Sequence, residues 1–115
     1  MSADDLLGRL SELLGGRHYV LIGQTPVLEP DVLVWAEWFG QEDRIVFQTE
    51  FPGGTVSTVF LGLDHQWGKG PPLLFETMVF RDGEACECCR CSTWMEAEAQ
   101  HQRVLAEVTE KKYAE

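Results

Sequence analysis

Runs of β-branched and aromatic residues separated by short turns are the feature that most restricts the fold of this 115-residue chain. Such residues favour extended backbone in a half-buried sheet. Turns as short as those at 40–43 and 52–54 predict antiparallel hairpins, because parallel pairing needs a crossover of about a dozen residues or more. The sequence therefore predicts four strands, the first three forming a meander, over residues 31–39, 44–51, 55–63 and 73–80.

The N-terminal region predicts one helix and a short extended segment. Leucines recur at spacings of three and four residues over 3–14, and two glycines end the run. Residues 18–22 have the composition of a strand, whereas the two prolines within 23–31 favour a loop. The chain is therefore expected to enter its sheet from an amphipathic helix.

The C-terminal region predicts a second helix. Thr93 and Glu96 form a T-x-x-E capping box, a pattern typical of a helix start. Apolar residues then recur on one face over 94–112. The stretches 64–72 and 81–91 lack either periodicity, so we interpret them as loops.

These elements predict a single domain over residues 1–115. A chain of this length can bury one core without disulfide or metal staples. The predicted class is α+β, with an antiparallel meander of four or five strands between an N-terminal and a C-terminal helix. Both faces of two predicted strands are apolar, so we expect the helices, a partner or a second copy of the chain in a homodimer to cover them.

The charge of the chain restricts its partners. Nineteen acidic residues against nine basic ones give a formal net charge of −10. Such a charge disfavours direct binding to nucleic acid or to anionic membranes and favours a protein partner with a basic surface, although the acids can equally serve to solvate the exposed faces. No apolar run approaches the roughly 20 residues that cross a bilayer, and the N-terminus has no secretory pattern, so a cytoplasmic location is expected.

The segment CECCRC contains every cysteine of the chain within six positions. The four residues are Cys86, Cys88, Cys89 and Cys91. A zinc site usually draws two C-x-x-C pairs from separate segments, whereas the two pairs here interleave in one segment. Free thiols are therefore favoured, and no cofactor is expected. Zinc bound with help from His65, His101 or a second chain is the alternative, and a disulfide is disfavoured in a reducing compartment.

A second group of residues has the chemistry of a hydrolytic site. Asp64 and His65 follow a predicted strand, and together with Glu76 and His101 they could provide acid and base groups or metal ligands. No nucleophile elbow, H-E-x-x-H pattern or phosphate-binding loop accompanies them. The structural interpretation is favoured: Asp64 caps a turn, His65 bonds to backbone, and His101 lies at the rim of the helical apolar stripe.

The loop 64–72 is also a candidate recognition surface. Trp67 and Lys69 offer an aromatic anchor and a cation on backbone that is stiffened by two prolines. Trp67 could equally fold back over the sheet. Glu76, in an otherwise apolar strand, is either an exposed acid at the sheet edge or a buried partner of Lys69 or Arg81. If this loop is a recognition surface, the residues expected to bind the partner are Trp67, Lys69 and Glu76.

Three ordered blocks of the sequence carry a resemblance to a known family. They are VSTVFLGLDH (56–65), GPPLLFETMVF (70–80) and STWMEAEAQH (92–101). These blocks resemble a family of small phage- and prophage-encoded proteins with the pattern STVFLGLDH, GPPLLFETM and T-W-x-E-A-E-A-x-H. The resemblance implies a phage-linked origin, hence a location in the host cytoplasm, and implies no particular chemistry.

The leading functional hypothesis is a small acidic interaction protein of phage type. Such a protein would bind, and could inhibit, a host protein such as a defence or nucleic-acid-binding component, in the manner of an anti-CRISPR protein. The first alternative is a small metal-assisted hydrolase that uses Asp64, His65 and His101. The second is a thiolate metal-binding protein centred on CECCRC. Binding is favoured over catalysis, because no catalytic motif is recognisable.

Overall fold

The computed structural model describes residues 17–64, 66 and 69–113. Six strands and two helices lie within this part of the chain. In chain order they are β1 (Tyr19–Ile22), β2 (Thr25–Leu28), α1 (Val32–Gln41), β3 (Ile45–Phe51), β4 (Gly54–Phe60), β5 (Phe75–Arg81), β6 (Glu84–Cys91) and α2 (Trp94–Tyr113). The helix predicted over 3–14 lies outside the described residues.

The main sheet is an antiparallel meander in the order β3-β4-β5-β6. Two-residue turns join β3 to β4 and β5 to β6. In the second turn, Asp82 and Gly83 both have positive φ, 50° and 79°, which matches the twist of tight hairpins. The strands predicted at 44–51, 55–63 and 73–80 are confirmed. The predicted α+β class, with an antiparallel sheet and a helix before and after it, is confirmed as well.

Residues 32–41 form helix α1, so the strand predicted over 31–39 is wrong. Asp31 is the N-cap, and its Oδ1 accepts hydrogen bonds from the backbone N–H of Leu33 at 3.0 Å and of Val34 at 3.4 Å. The large apolar residues also fit helical spacing, and the rings of Trp35 and Phe39, one turn apart, stack 4.7 Å from each other. The cap and this spacing outweigh the strand-like composition of the segment.

Two segments predicted as loops contain strands. Within 23–31, β2 pairs with β1 in a separate two-stranded sheet, and Pro26 is tolerated because this small sheet consists only of edge strands. Within 81–91, β6 pairs with β5 along its length, and a register shift between Thr77 and Met78 marks a bulge. The cysteine-rich segment is therefore an edge strand of the main sheet.

The core lies between α2 and one face of the main sheet. The capping box at the start of α2 is confirmed, since the backbone N–H of Glu96 donates to Thr93 Oγ1 and that of Thr93 donates to Glu96 Oε1, both at 3.1 Å. One cluster of buried residues comprises Phe60, Leu74, Phe75, Cys91 and Ala97. A second comprises Val56, Val79, Val104 and Val108. In the described residues, neither helix combines the length and the apolar character that a membrane span requires.

Candidate functional site

A groove opens where the β1–β2 hairpin, the end of α1, the start of β3 and the start of α2 meet. Its volume is about 330 Å³. The apolar lining includes Leu21, Trp38, Phe60 and Trp94. The charged residues that line it are Glu42, Asp43 and Arg44. We call this surface the aromatic groove.

Edge-on contacts between aromatic rings fix the aromatic side chains that line the groove. Trp38 meets Phe60 at a centroid distance of 5.8 Å and an interplanar angle of 87°. Phe60 meets Phe75 at 5.3 Å, and Phe75 meets Trp94 at 6.4 Å, again edge-on. Such pairs add stability beyond the burial of their area. The two tryptophans are therefore fixed in place by a buried aromatic row between them.

The rim of the groove is negatively charged. Glu42 and Asp43 are exposed, and none of the ion pairs within the described residues involves either carboxylate. Arg44 is the neighbouring cation, but its guanidinium lies 3.8 Å above the ring of Phe39, and its Nη1 donates to the carbonyl oxygen of Phe60 at 3.5 Å. Two acids thus face solvent beside an aromatic surface.

His101, which the sequence offers as a catalytic candidate, belongs to a buried network of hydrogen bonds. Its Nδ1 bonds to Thr58 Oγ1 at 2.9 Å, and its Nε2 bonds to Thr49 Oγ1 at 3.0 Å. The Thr58 and Thr77 hydroxyls are 2.8 Å apart, and the side-chain amide of Gln100 donates to Thr77 at 2.9 Å. The same amide donates to the carbonyl oxygen of Cys89 at 3.0 Å. The network therefore links α2 to all four strands of the main sheet.

This environment suits a neutral imidazole. Only 1% of the surface of His101 is exposed, and this burial lowers its pKa below the ordinary value. A neutral ring donates from one nitrogen and accepts at the other, and hydroxyl groups can serve in both roles. Because both ring nitrogens are already bonded within the core, His101 has the geometry of a structural residue.

Asp64 holds the loop that follows β4. Its Oδ1 accepts hydrogen bonds from the backbone N–H of Gln66 at 2.8 Å and of Leu73 at 3.1 Å. Its other oxygen lies 3.8 Å from Arg17 Nη1. These contacts fit the capping role that the sequence favours. His65, the next residue and the other catalytic candidate, lies outside the described residues.

We expect Asp64→Ala to lower the free energy of unfolding by about 1–2 kcal/mol, because two backbone N–H groups in a half-buried loop lose their acceptor. Urea denaturation followed by circular dichroism measures this change. Asp64→Asn is the matched control, since its side-chain oxygen can still accept both bonds and should lose less. Equal losses in the two variants would show that the charge, and not the loop contacts, stabilises this segment.

The structure describes two of the three residues that the sequence predicts to bind a partner. Trp67 lies outside the described residues, and Lys69 is exposed. Glu76 is buried, and its Oε2 accepts a hydrogen bond from Arg90 Nε at 2.7 Å. The two residues are directly opposite each other on β5 and β6. The acid is therefore paired with the cross-strand cation Arg90, and not with Lys69 or Arg81 as predicted.

The cysteines of β6 differ in their surroundings. Cys86 is exposed, Cys89 is half-buried and Cys91 is buried, and none of the three forms a disulfide. Burial, followed by the charges of Glu96 and Cys89, raises the pKa of Cys91 to about 11. The described residues contain no group of three or more histidine, cysteine or acidic side chains that could hold a metal ion. The side chain of Cys88 is not among those described.

The sequence did not predict the aromatic groove, because residues 31–39, which include Trp38, were expected to form a strand. The signal that could have revealed it is the spacing of Trp35, Trp38 and Phe39 after Asp31, which fits one face of a capped helix. Comparison of the chain with protein-family models, with curated proteins and with solved structures gives no match. The proposed function therefore rests on the geometry of the aromatic groove.

Proposed function

We propose that this chain is a small acidic interaction protein of phage type that binds a host protein through the aromatic groove. The observation that carries the proposal is the pairing of fixed aromatic side chains with two exposed carboxylates, Glu42 and Asp43, on one rim. Aromatic side chains commonly supply the energetic centre of an interface, while charges at its edge guide the approach of the partner.

The chemistry of the groove favours a basic side chain of the partner. The aliphatic stem of a lysine or arginine can lie along Trp38 and Trp94, while its charged head meets the carboxylates. The net charge of −10 attracts the same kind of surface over a longer range. Covering such a surface would inhibit a host-defence or nucleic-acid-binding protein, in the manner of an anti-CRISPR protein.

The alternatives have less support from the geometry. A hydrolase would need His101 to reach a substrate, but both of its ring nitrogens are bonded to threonine hydroxyls within the core. Asp64 is likewise engaged with the loop backbone. The thiolate alternative would need convergent ligands, and none are grouped within the part of the chain that the structure describes.

The test compares two variants of equal charge for binding to a partner that is captured from host lysate and then purified. Glu42→Gln/Asp43→Asn removes two acids at the groove. Glu98→Gln/Glu110→Gln removes two acids that are exposed on α2 and do not line the groove. We expect the groove variant to weaken binding about tenfold, chiefly through slower association, and the α2 variant to change it less than about twofold.

Surface plasmon resonance at several salt concentrations measures these rates. Association of the unmodified protein should slow as salt rises, because the Debye length shrinks to about 8 Å at 0.15 M. Equal effects of the two variants would mean that net charge alone drives binding and that the groove is not the site. Failure to capture any partner with the unmodified protein would count against an interaction function.

A further inference from the structure

A second cavity lies beside the aromatic groove. Its volume is about 310 Å³, and it is lined by residues 42–45 and Val59. Residues 42–45 line the aromatic groove as well. The backbone of Arg44 already pairs with the main sheet, since its carbonyl oxygen accepts a hydrogen bond from the Phe60 N–H at 2.8 Å. The segment that joins α1 to β3 therefore borders both cavities at one corner of the sheet.

The two cavities open on opposite faces of the main sheet. On β4, Phe60 belongs to the buried cluster that includes Ala97 of α2, and the hydroxyl of Thr58 bonds to His101 of the same helix. Val59 lies between these two strand residues, so its side chain points to the face that α2 does not cover. The aromatic groove, which Phe60 lines, is therefore on the α2 face, and the second cavity is on the other face.

β3, which begins at this corner, is an edge strand. Among the described strands it pairs only with β4. Sheet edges are often protected by lysine, proline or several charges. β3 contains neither lysine nor proline and has a single charge, Glu50, whereas the other edge strand, β6, has three charged residues. Both edge strands carry a bulge, so bulges do not distinguish them. The outer edge of β3 is therefore the one more suited to pair with a further strand.

The charges along the outer edge of β3 select what pairs with it. Glu42, Asp43 and Glu50 are exposed. The side chain of Asp43 is held in place, since its Oδ1 accepts a hydrogen bond from the Ile45 N–H at 3.0 Å. A second copy of the chain would bring these acids close to their own equivalents, which disfavours a dimer through β3. The same acids favour a strand that carries basic side chains.

We propose that the host protein adds an extended segment, with alternating basic and apolar side chains, to the outer edge of β3. Main-chain hydrogen bonds hold the added segment, and its successive side chains point to opposite faces of the sheet. The basic side chains enter the aromatic groove, and the apolar ones enter the cavity lined by Ile45 and Val59. This inference rests on the proposed function and adds to it the conformation and the side-chain pattern of the partner.

The test uses a hexapeptide of alternating lysine and valine with blocked ends, added to the unmodified protein. Alternate N–H groups of a strand point to opposite edges, so two backbone-methylated forms are compared, one methylated at every lysine nitrogen and one at every valine nitrogen. We expect one form to bind at least about tenfold more weakly than the parent peptide, because it loses its main-chain hydrogen bonds to β3. The other form should bind within about twofold of the parent peptide, since its methyl groups point away from the sheet.

Isothermal titration calorimetry measures the dissociation constants, and hydrogen exchange followed by NMR locates the peptide. The amides of β3 that do not bond to β4 should become protected when the peptide is added, while those of β6 should not change. A control peptide of three lysines followed by three valines has the same charge without the alternation. It should bind at least about fivefold more weakly, because its basic and apolar side chains cannot separate onto the two faces.

Four results would overturn the inference: no binding of the alternating peptide, equal effects of the two methylation patterns, protection along β6, or equal binding of the control peptide. If methylation has no effect while Glu42→Gln/Asp43→Asn still weakens binding, side chains alone dock in the groove, and the proposed function stands without edge pairing. Protection of the outer edge of β3 in a dimer without peptide would assign that edge to a second copy and would also overturn the inference.

Discussion

Thr58→Val should lower the free energy of unfolding by about 1–3 kcal/mol, although the two side chains have nearly the same shape. The Thr58 hydroxyl bonds to both Thr77 Oγ1 and His101 Nδ1 in a site that is fully shielded from water. Valine fills the same space and favours a strand at least as well. The lower free energy of unfolding would therefore come from the imidazole nitrogen that is left without a hydrogen-bond partner. Urea denaturation monitored by tryptophan fluorescence measures it.

Thr55→Val is the matched control for this change. Thr55 lies on the same strand and is only half-buried, and its hydroxyl has no hydrogen-bond partner among the described residues. Its replacement should change the free energy of unfolding by less than about 0.5 kcal/mol. If Thr58→Val proved neutral while Thr49→Val did not, the bond from Thr49 would hold His101 by itself.

Most of the main sheet could be predicted because β3, β4 and β5 each carry a local signal in the sequence. β3 and β4 combine β-branched residues with a Pro52–Gly53 turn, and the start of α2 has both halves of a capping box. β6 carries no such signal, because cysteine and charged residues have little strand preference of their own. It is a strand because β5 offers it a paired edge, which is tertiary information.

The network around His101 could not be predicted, for a related reason. Its hydroxyls come from Thr49, Thr58 and Thr77, one on each of three strands, and only the observed register brings Thr58 opposite Thr77. A slip of one residue would turn the hydroxyl of either strand to the other face of the sheet. The sequence therefore shows a histidine that could be catalytic, but it does not show that threonines from three strands surround this histidine in the core.

The same burial leads to an expected loss of stability in mild acid. Desolvation lowers the pKa of both His18 and His101 below the ordinary value of 6.5. Below that pH the unfolded chain takes up protons that the folded chain binds less well, so the free energy of unfolding falls as the pH falls. The contribution is fully present above pH 6.5. Each such histidine adds a slope of up to about 1.4 kcal/mol per pH unit.

Denaturation curves between pH 7.5 and 5.5 measure this slope, in a range where most carboxylates stay ionised. His101→Gln removes one titrating group while keeping a polar side chain, so its curve should be flatter than that of the unmodified protein, even though the variant is less stable throughout. Imidazole resonances in NMR spectra give the same answer directly, since the ring of His101 should remain neutral below pH 6.5. Titration of His101 at or above that pH would mean that water or a substrate reaches the ring, and would return this residue to the list of catalytic candidates.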